Sequence, residues 1–380
     1  MSRISLPVPA GGRPDLLVVA GEHSGDEHAA RLVAGLLRKR PGLRVAALGG
    51  PRLAGAGAQL LLDRTKVSVV GFAEALRNLG YFRAVIEATA QWVAQHGPRA
   101  VCFVDNSGVN LRIAEQLRLR GLSAKGGGSV RTLYYISPQV WASRAARRFE
   151  MARNLDSLAV IFPFEVGFYA GTGLDVRFVG HPFLAPDYSP PVRHDPAGPV
   201  LLLPGSRPRA VGLIAPILLA GYARFASRGG GRGAVMLYPS DEIRRQLEAI
   251  VPEGVRLQRR GEAAAASAVL TSSGTMSMHC ALAAIPGAIA YRTDALTYLA
   301  ARMLIRVPYL GIANILLGET MYPEYIQAAA APEALASELA ACAGDPGRRA
   351  RTAEMSARLR SLLGHPAGGS EAEWLAENLG

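Results

Sequence analysis

Short, largely apolar runs recur along the chain, and most stop at glycine, proline, serine or aspartate. Leu16–Ala20, Val45–Leu48, Ala100–Val104, Thr132–Ile136 and Ser157–Phe162 lie in the first half. Val200–Leu203, Ala234–Tyr238, Ala268–Leu270 and Gly287–Tyr291 lie in the second. Runs of this length closed by turn residues predict strands buried on both faces of a parallel sheet. Between them the apolar positions take helical spacing, as at Ala30, Val33, Ala34 and Leu37 within a helix expected over 27–40. Strand, loop and helix alternating in this way predict an α/β chain. At 380 residues it is too long for one ordinary core, and two doubly wound domains facing a cleft are expected. The Pro- and polar-rich run 190–198 reads as the linker. The expected division is 1–190, 191–345, and a helical C-terminal segment 346–380 that packs back on the first domain or on a partner.

Two stretches complicate the apolar pattern. Residues 67–85 carry Val69, Val70, Phe72, Leu76, Leu79, Tyr81 and Phe82 with Arg77 and Arg83 interspersed. This is either a core helix or an apolar, arginine-rimmed face for lipid chains or a membrane. Met303–Ile305 with Val307–Leu310 forms a second greasy patch. There is no run of 18 uninterrupted apolar residues, so no transmembrane helix is expected.

The chain carries a formal charge of +12, nearly all of it arginine; the lysines are Lys39, Lys66 and Lys125. The sign favours a phosphate-bearing partner or an anionic membrane surface. No zinc-finger or RNP-type motif supports nucleic acid as that partner. Cys102, Cys280 and Cys342 are far apart and odd in number. They suit buried thiols in a reducing compartment, not a disulfide or zinc framework, and the expected location is cytoplasmic.

Candidate chemistry sits where the apolar runs end, because ligands of open α/β sheets bind beyond the carboxyl ends of the strands. After Leu203 come Gly205, Ser206 and Arg207: a close backbone approach, a hydroxyl and a planar fork suited to phosphate. The competing reading is a plain turn with a surface arginine. Ser273, Gly274 and Thr275 open a helix after Leu270, a second place for an anion. Ser24 and Gly25 do the same after the first strand, although that loop is not G-x-G-x-x-G and dinucleotide binding has little support. Asp105 follows Val104 and is either a general base or an N-cap carboxylate for the next helix. No D-x-D pair is present, so a metal-bridged diphosphate has no support in the sequence, and neither a metal nor a cofactor is expected.

The motifs, taken in order, resemble those of the lipid-A-disaccharide synthases. Ala20–Asp26 is similar to the family's A-G-E-x-S-G-D, and Gly49–Leu53, Gly71–Leu76, Tyr135–Ala142 (which holds Gln139), Phe162–Glu165, Val179–Pro182, Leu203–Arg207 and Pro323–Gln327 resemble its later blocks. The resemblance implies a GT-B fold of two Rossmann-like domains. It implies a UDP-linked 2,3-diacylglucosamine donor, a 2,3-diacylglucosamine 1-phosphate acceptor, and a β-1,6 disaccharide 1-phosphate made with inversion. It further implies Asp105 as base, Ser206 and Arg207 with the Gly274–Thr275 helix start on the diphosphate, and Asn314, Glu324 and Gln327 on the donor side. A peripheral place on the inner membrane and a homodimer are expected on the same ground. The chain departs from the family pattern at Ser107 (Pro) and Val109 (Phe), at His279 where a ribose-binding Glu is usual, and at Ile312–Ala313 before Asn314. His279 keeps one hydrogen bond to a ribose in place of a bidentate grip. The alternatives are another GT-B UDP-sugar enzyme, such as a 2-epimerase or other glycosyltransferase, and a degenerate, non-catalytic paralogue.

Overall fold

The computed structural model describes residues 4–65, 79–231, 233–261, 263–295, 297–299, 307–364, 366 and 369–380. The stretch 67–78 of the apolar, arginine-rimmed segment and the patch at 303–305 lie outside the described residues; 79–85 begins the helix Leu79–His96. The chain divides into two compact units, Met1–Pro182 with His365–Gly380, and Phe183–Gly364. The first unit therefore ends before residue 190, and the helix Pro346–Gly364 belongs to the second.

In the first unit seven strands form one sheet: β1 (Leu16–Ala20), β2 (Val45–Gly49), β3 (Gln59–Asp63), β4 (Ala100–Val104), β5 (Arg131–Tyr135), β6 (Ser157–Val160) and β7 (Asp175–Phe178). Their order is β3-β2-β1-β4-β5-β6-β7, and each pairing is parallel. β1, β2 and β4 are buried along their whole length because helices cover both faces, which is why they read as continuous apolar runs. Chain direction along the sheet reverses between β1 and β4. That is the switch point where a doubly wound fold leaves a crevice. The core joins these strands to the helix Ser107–Leu119 through Leu111, Ile113 and Leu117.

The C-terminal helix Glu371–Asn378 closes this unit. Ser370 caps it in a capping box with Glu373. Trp374 is fully buried and donates from Nε1 to Ser157 Oγ at 2.8 Å. Gly35 of the helix His23–Lys39 lets Ala372 approach: a Cβ at Gly35 would stand 2.9 Å from the Ala372 methyl.

The second unit repeats the plan. β8 (Val192–His194) pairs with β12 (Ala264–Ala266) in a small two-stranded sheet, so part of the expected linker is structured. β9 (Val200–Leu203), β10 (Ala234–Tyr238), β11 (Val255–Arg259), β13 (Ala268–Thr271), β14 (Gly287–Tyr291) and β15 (Glu324–Ile326) form the main sheet, in the order β11-β10-β9-β13-β14-β15. Its switch point lies between β9 and β13, where the two hydroxyl-bearing loops emerge. Among the described residues, Pro208–Gly230 is long and apolar enough to span a membrane by length and composition. Half of it is buried, with Val211, Ile214, Leu218 and Tyr222 in the core of this unit.

Candidate active site

Each switch point carries a cluster of polar residues, and each belongs to one unit. In the second unit a cavity of about 300 Å³ opens at the ends of β9 and β13. Its walls include Gly205, Ser206, Arg207, Arg260 and the Ser272–Thr275 loop. Gly205 has φ 112°, a conformation glycine reaches without strain, and an added Cβ would press to 3.3 Å from Ser272 Oγ. Arg207 stands at the N-cap position of the helix Pro208–Phe225 without a side-chain cap bond, and the proline at the helix start costs no helical hydrogen bond. The Ser272 N–H donates to Leu203 O at 2.8 Å and ties the two loops together. Thr275 begins a second helix, Thr275–Leu282. Among the described residues no Asp or Glu lines the cavity, and Arg207 and Arg260 do. Hydroxyls, guanidinium groups and helix starts together suit a ligand with several negative charges.

Arg260 was not singled out by the sequence. It follows β11, an edge strand whose Val255-Arg-Leu-Gln-Arg pattern lacks the apolar run of its neighbours. Its N–H donates to Tyr238 O at 2.9 Å, which holds it level with the end of β10. An arginine side chain is long enough to reach from there toward the neighbouring strand ends, which lie about 4.8 Å apart.

His279 is 5% exposed, and its ring stacks on Phe183 with centroids 3.9 Å apart. Tyr188 Oη lies 3.2 Å from His279 Nε2, so one ring nitrogen already has a partner inside the protein. Burial first, and Arg260 second, lower the imidazole pKa to about 4, and the ring is neutral at pH 7. Phe183 and Tyr188 follow the Val179–Pro182 motif directly and went unnoticed for want of any motif of their own.

Asn314, Glu324 and Gln327 do not line the cavity. Glu324 accepts from the N–H groups of Leu310 and Gly311 at 2.8 and 2.9 Å, and from Asn314 Nδ2 at 2.8 Å. Asn314 is fully buried, and its Oδ1 accepts from Met321 and Tyr322. Gln327 exchanges two hydrogen bonds with the Thr293 backbone. Leu310 O in turn accepts from Ser273 Oγ at 3.1 Å. The Glu324–Asn314 network thereby reaches the cavity through Leu310 and Ser273.

In the first unit Asp105 stands just beyond β4 and is half-buried. Asp105 and Asn106 both have positive φ, 50° and 39°, rare for non-glycine residues. Two contacts hold this turn: Tyr134 Oη and Asn110 Nδ2 both donate to Asp105 O, the second at 2.9 Å. The helix that follows has Asn106 at its cap position and no side-chain cap bond. The Asp105 carboxylate is thus not the helix cap. Burial raises its pKa; the Asn106 N–H and His28 act in the opposite direction. Gly25 lies in the first turn of the helix His23–Lys39, and a Cβ there would be 4.0 Å from Asp105 Cβ. Ser24 beside it is exposed, as is Gln139 before the short helix Val140–Ser143. Asp26, next after Gly25 along the same helix, accepts from the N–H groups of Gly50, Arg52 and Leu53.

Solved structures share this fold. The calicheamicin glycosyltransferase CalG4 covers 97% of the chain and 98% of its own, with TM-score 0.55 and 16% identity. A UDP-GlcNAc 2-epimerase from Neisseria meningitidis, bound to UDP-GlcNAc, covers 96% and 99% with TM-score 0.61 and 9% identity. The fold is that of the GT-B class, with two Rossmann-like units. The sequence is more specific. The lipid-A-disaccharide synthetase family profile matches residues 16–377. The lipid-A-disaccharide synthase of Syntrophus aciditrophicus (strain SB) is 36% identical over 96% of the chain and 97% of its own length. That of Anaeromyxobacter dehalogenans (strain 2CP-1) is 35% identical over 92% and 94%. The chain belongs to the lipid-A-disaccharide synthetase family and is a glycosyltransferase.

Proposed function

We propose that the chain transfers 2,3-diacylglucosamine from its UDP derivative to 2,3-diacylglucosamine 1-phosphate. The observation that carries the mechanism is Asp105: a half-buried carboxyl at a strand end, in a backbone conformation held by Tyr134 and Asn110. Asp105 takes the proton from the acceptor's 6-hydroxyl as that oxygen attacks the anomeric carbon. The new C–O bond forms as the bond to the diphosphate breaks, so the anomeric centre inverts and UDP leaves with the electron pair. Ser206, Arg207 and the Ser273–Gly274–Thr275 helix start receive the growing charge on the diphosphate. Asn314, Glu324 and Gln327 serve the donor side by holding the Leu310 loop and, through it, Ser273. His279 offers the ribose at most the ring nitrogen that Tyr188 leaves. Ser24, Gly25 and Gln139 belong to the acceptor side. Both substrates carry acyl chains, so a peripheral place on the inner membrane follows, and a homodimer accords with the family.

The test is transfer of radiolabelled diacylglucosamine in detergent, with and without EDTA. Disaccharide phosphate formed equally in both supports the reaction and its independence of a divalent metal. Asp105→Asn is expected to lower turnover at least a thousandfold while UDP affinity stays within about twofold. Turnover near wild type in that variant removes Asp105 as base. UDP binding without transfer by the wild type points to a different acceptor or to a 2-epimerase.

A further inference from the structure

Among the described residues of the first unit, one arginine is buried with no carboxylate paired to it. Arg64 follows β3 directly, and its N–H donates to Gly49 O at 2.6 Å, which ties it to the end of β2. Its side chain spans β2 and donates from Nη1 to Ala20 O at the end of β1, 3.0 Å away. The residue is 5% exposed. Among the described residues Ala20 O is its one side-chain partner, and the Tyr81 phenol, not a carboxylate, is the acidic group that acts on it. Its nitrogens are not among the sealed atoms that lack a partner, so those that Ala20 leaves border solvent. Asn106 reaches the same strand end from the other side. A Cβ at Gly21 would stand 2.7 Å from both Asn106 Cβ and Cγ, so the Asn106 side chain lies over the residue after Ala20. That side chain makes no cap bond and has no other hydrogen-bond partner among the described residues. We propose that Arg64 and the Asn106 amide hold the 1-phosphate of the acceptor at the end of β1. This rests on the first unit being the acceptor side of the transfer reaction proposed above.

Taking a guanidinium out of water is costly unless charge and hydrogen bonds replace the lost solvation. One backbone carbonyl is a small part of that replacement. Burial lowers the Arg64 pKa from its ordinary 12.5, yet a guanidinium keeps its proton at neutral pH. A bound phosphate supplies the missing counter-charge and two oxygens for the planar fork, and the asparagine amide adds a neutral donor. Asp26, which approaches the end of β2, is already held by the N–H groups of Gly50, Arg52 and Leu53. The position also fits the reaction. Ala20 pairs with Val104, and Asp105 follows Val104. Neighbouring strand ends lie about 4.8 Å apart, and side chains reaching up from the two ends can flank one sugar ring. The acceptor reacts at its 6-hydroxyl and carries its phosphate on C1, across the ring. A phosphate held at β1 therefore turns the 6-hydroxyl toward Asp105 at β4. A purely structural Arg64, tying β3 to β1 through Ala20, would give no preference for phosphate.

The test compares the acceptor with and without its phosphate. Binding of 2,3-diacylglucosamine 1-phosphate and of 2,3-diacylglucosamine is measured by calorimetry in detergent, with no donor present. The wild type should bind the phosphorylated form about ten- to a hundredfold more tightly. Arg64→Gln should lose most of that preference while its affinity for the unphosphorylated form stays within about twofold. Asn106→Gly, which keeps the left-handed turn and removes the amide, should lower the preference about threefold. In turnover, the loss in Arg64→Gln should fall on KM for the acceptor. A wild type without the preference, or a preference undiminished in Arg64→Gln, overturns the site. Should Arg64→Gln fail to fold, Arg64→Lys decides, because it keeps a cation but not the planar fork: a reduced preference supports the site and an unchanged one overturns it. Inorganic phosphate that abolishes the preference at equal concentration would mean a site for the free ion, and overturns the assignment to the acceptor. A preference lost in Arg64→Gln, in a protein that transfers no sugar, keeps the site and rejects the reaction proposed above. Transfer with the preference intact in that variant keeps the reaction and rejects the site.

Discussion

Single residues in this chain carry their chemistry through burial. Glu165 shows it most directly. It accepts from Trp141 Nε1 and the Phe162 N–H, both at 3.2 Å, and burial lifts its pKa to about 8 from an ordinary value of 4.5. Between those values the folded state holds a proton that the unfolded chain has lost. Stability is therefore full below about pH 4.5 and falls as pH rises toward 8. Glu165→Gln should remove that slope. The check is the thermal midpoint near pH 5 and near pH 8: the gap between them should shrink in the variant. The F-P-F-E motif was visible in the sequence, but its carboxyl's neutrality was not, since the desolvation comes from residues distant in the chain. His279 is the opposite case. The sequence marked the position, yet its stack on Phe183 and contact with Tyr188 exist only in the fold.

At the scale of elements, the sites are turns between a buried strand and a helix, and their backbone shape matters as much as their side chains. Gly205 is the clearest instance. Alanine there would adopt φ 112° and crowd Ser272 Oγ. Gly205→Ala should cost about 1–3 kcal/mol of stability in the second unit. It should also weaken UDP binding about tenfold, measurable by calorimetry, through displacement of the two loops that line the cavity. Equal UDP affinity in the variant would mean that the loop does not shape the nucleotide site. This turn was legible because β9 is an apolar run stopped by Pro204-Gly205. Arg260 was not, because β11 lies at the sheet edge and β12 is three alanines. Such strands lack the two-sided burial that makes a parallel strand conspicuous. β8 and β12 pair across a long stretch of chain, and no local pattern announces that pairing.

At the scale of the molecule, the chain returns to its first unit at the end. Trp374 inserts a fully buried indole and bonds Ser157 at the start of β6, and Lys39 pairs with Glu373 at 2.9 Å. The ion pair is exposed and adds little. The indole is the anchor: Trp374→Ala should destabilise the first unit by about 3–5 kcal/mol. Hydrogen exchange would show this as lost protection in β5 and β6, with β9 and β13 unchanged. Protection lost equally in both units would mean that they unfold as one.

The alternation of strands and helices, the strand ends that carry the polar loops, and the family can all be read from the residues in order. These are local properties: a strand covered on both faces must be apolar throughout, and a turn beside a ligand needs glycine and small hydroxyl residues. Which polar residues are used up inside the protein, and which face a cavity, depends on packing between distant parts of the chain. Asn314, Glu324 and Gln327 match donor-side positions of the family in the sequence, and the fold gives them hydrogen bonds within the protein. Arg260 carries no motif, yet the fold sets it in the cavity wall. The reason is physical: a buried donor or acceptor must find a partner, and the partner is chosen by packing across the chain.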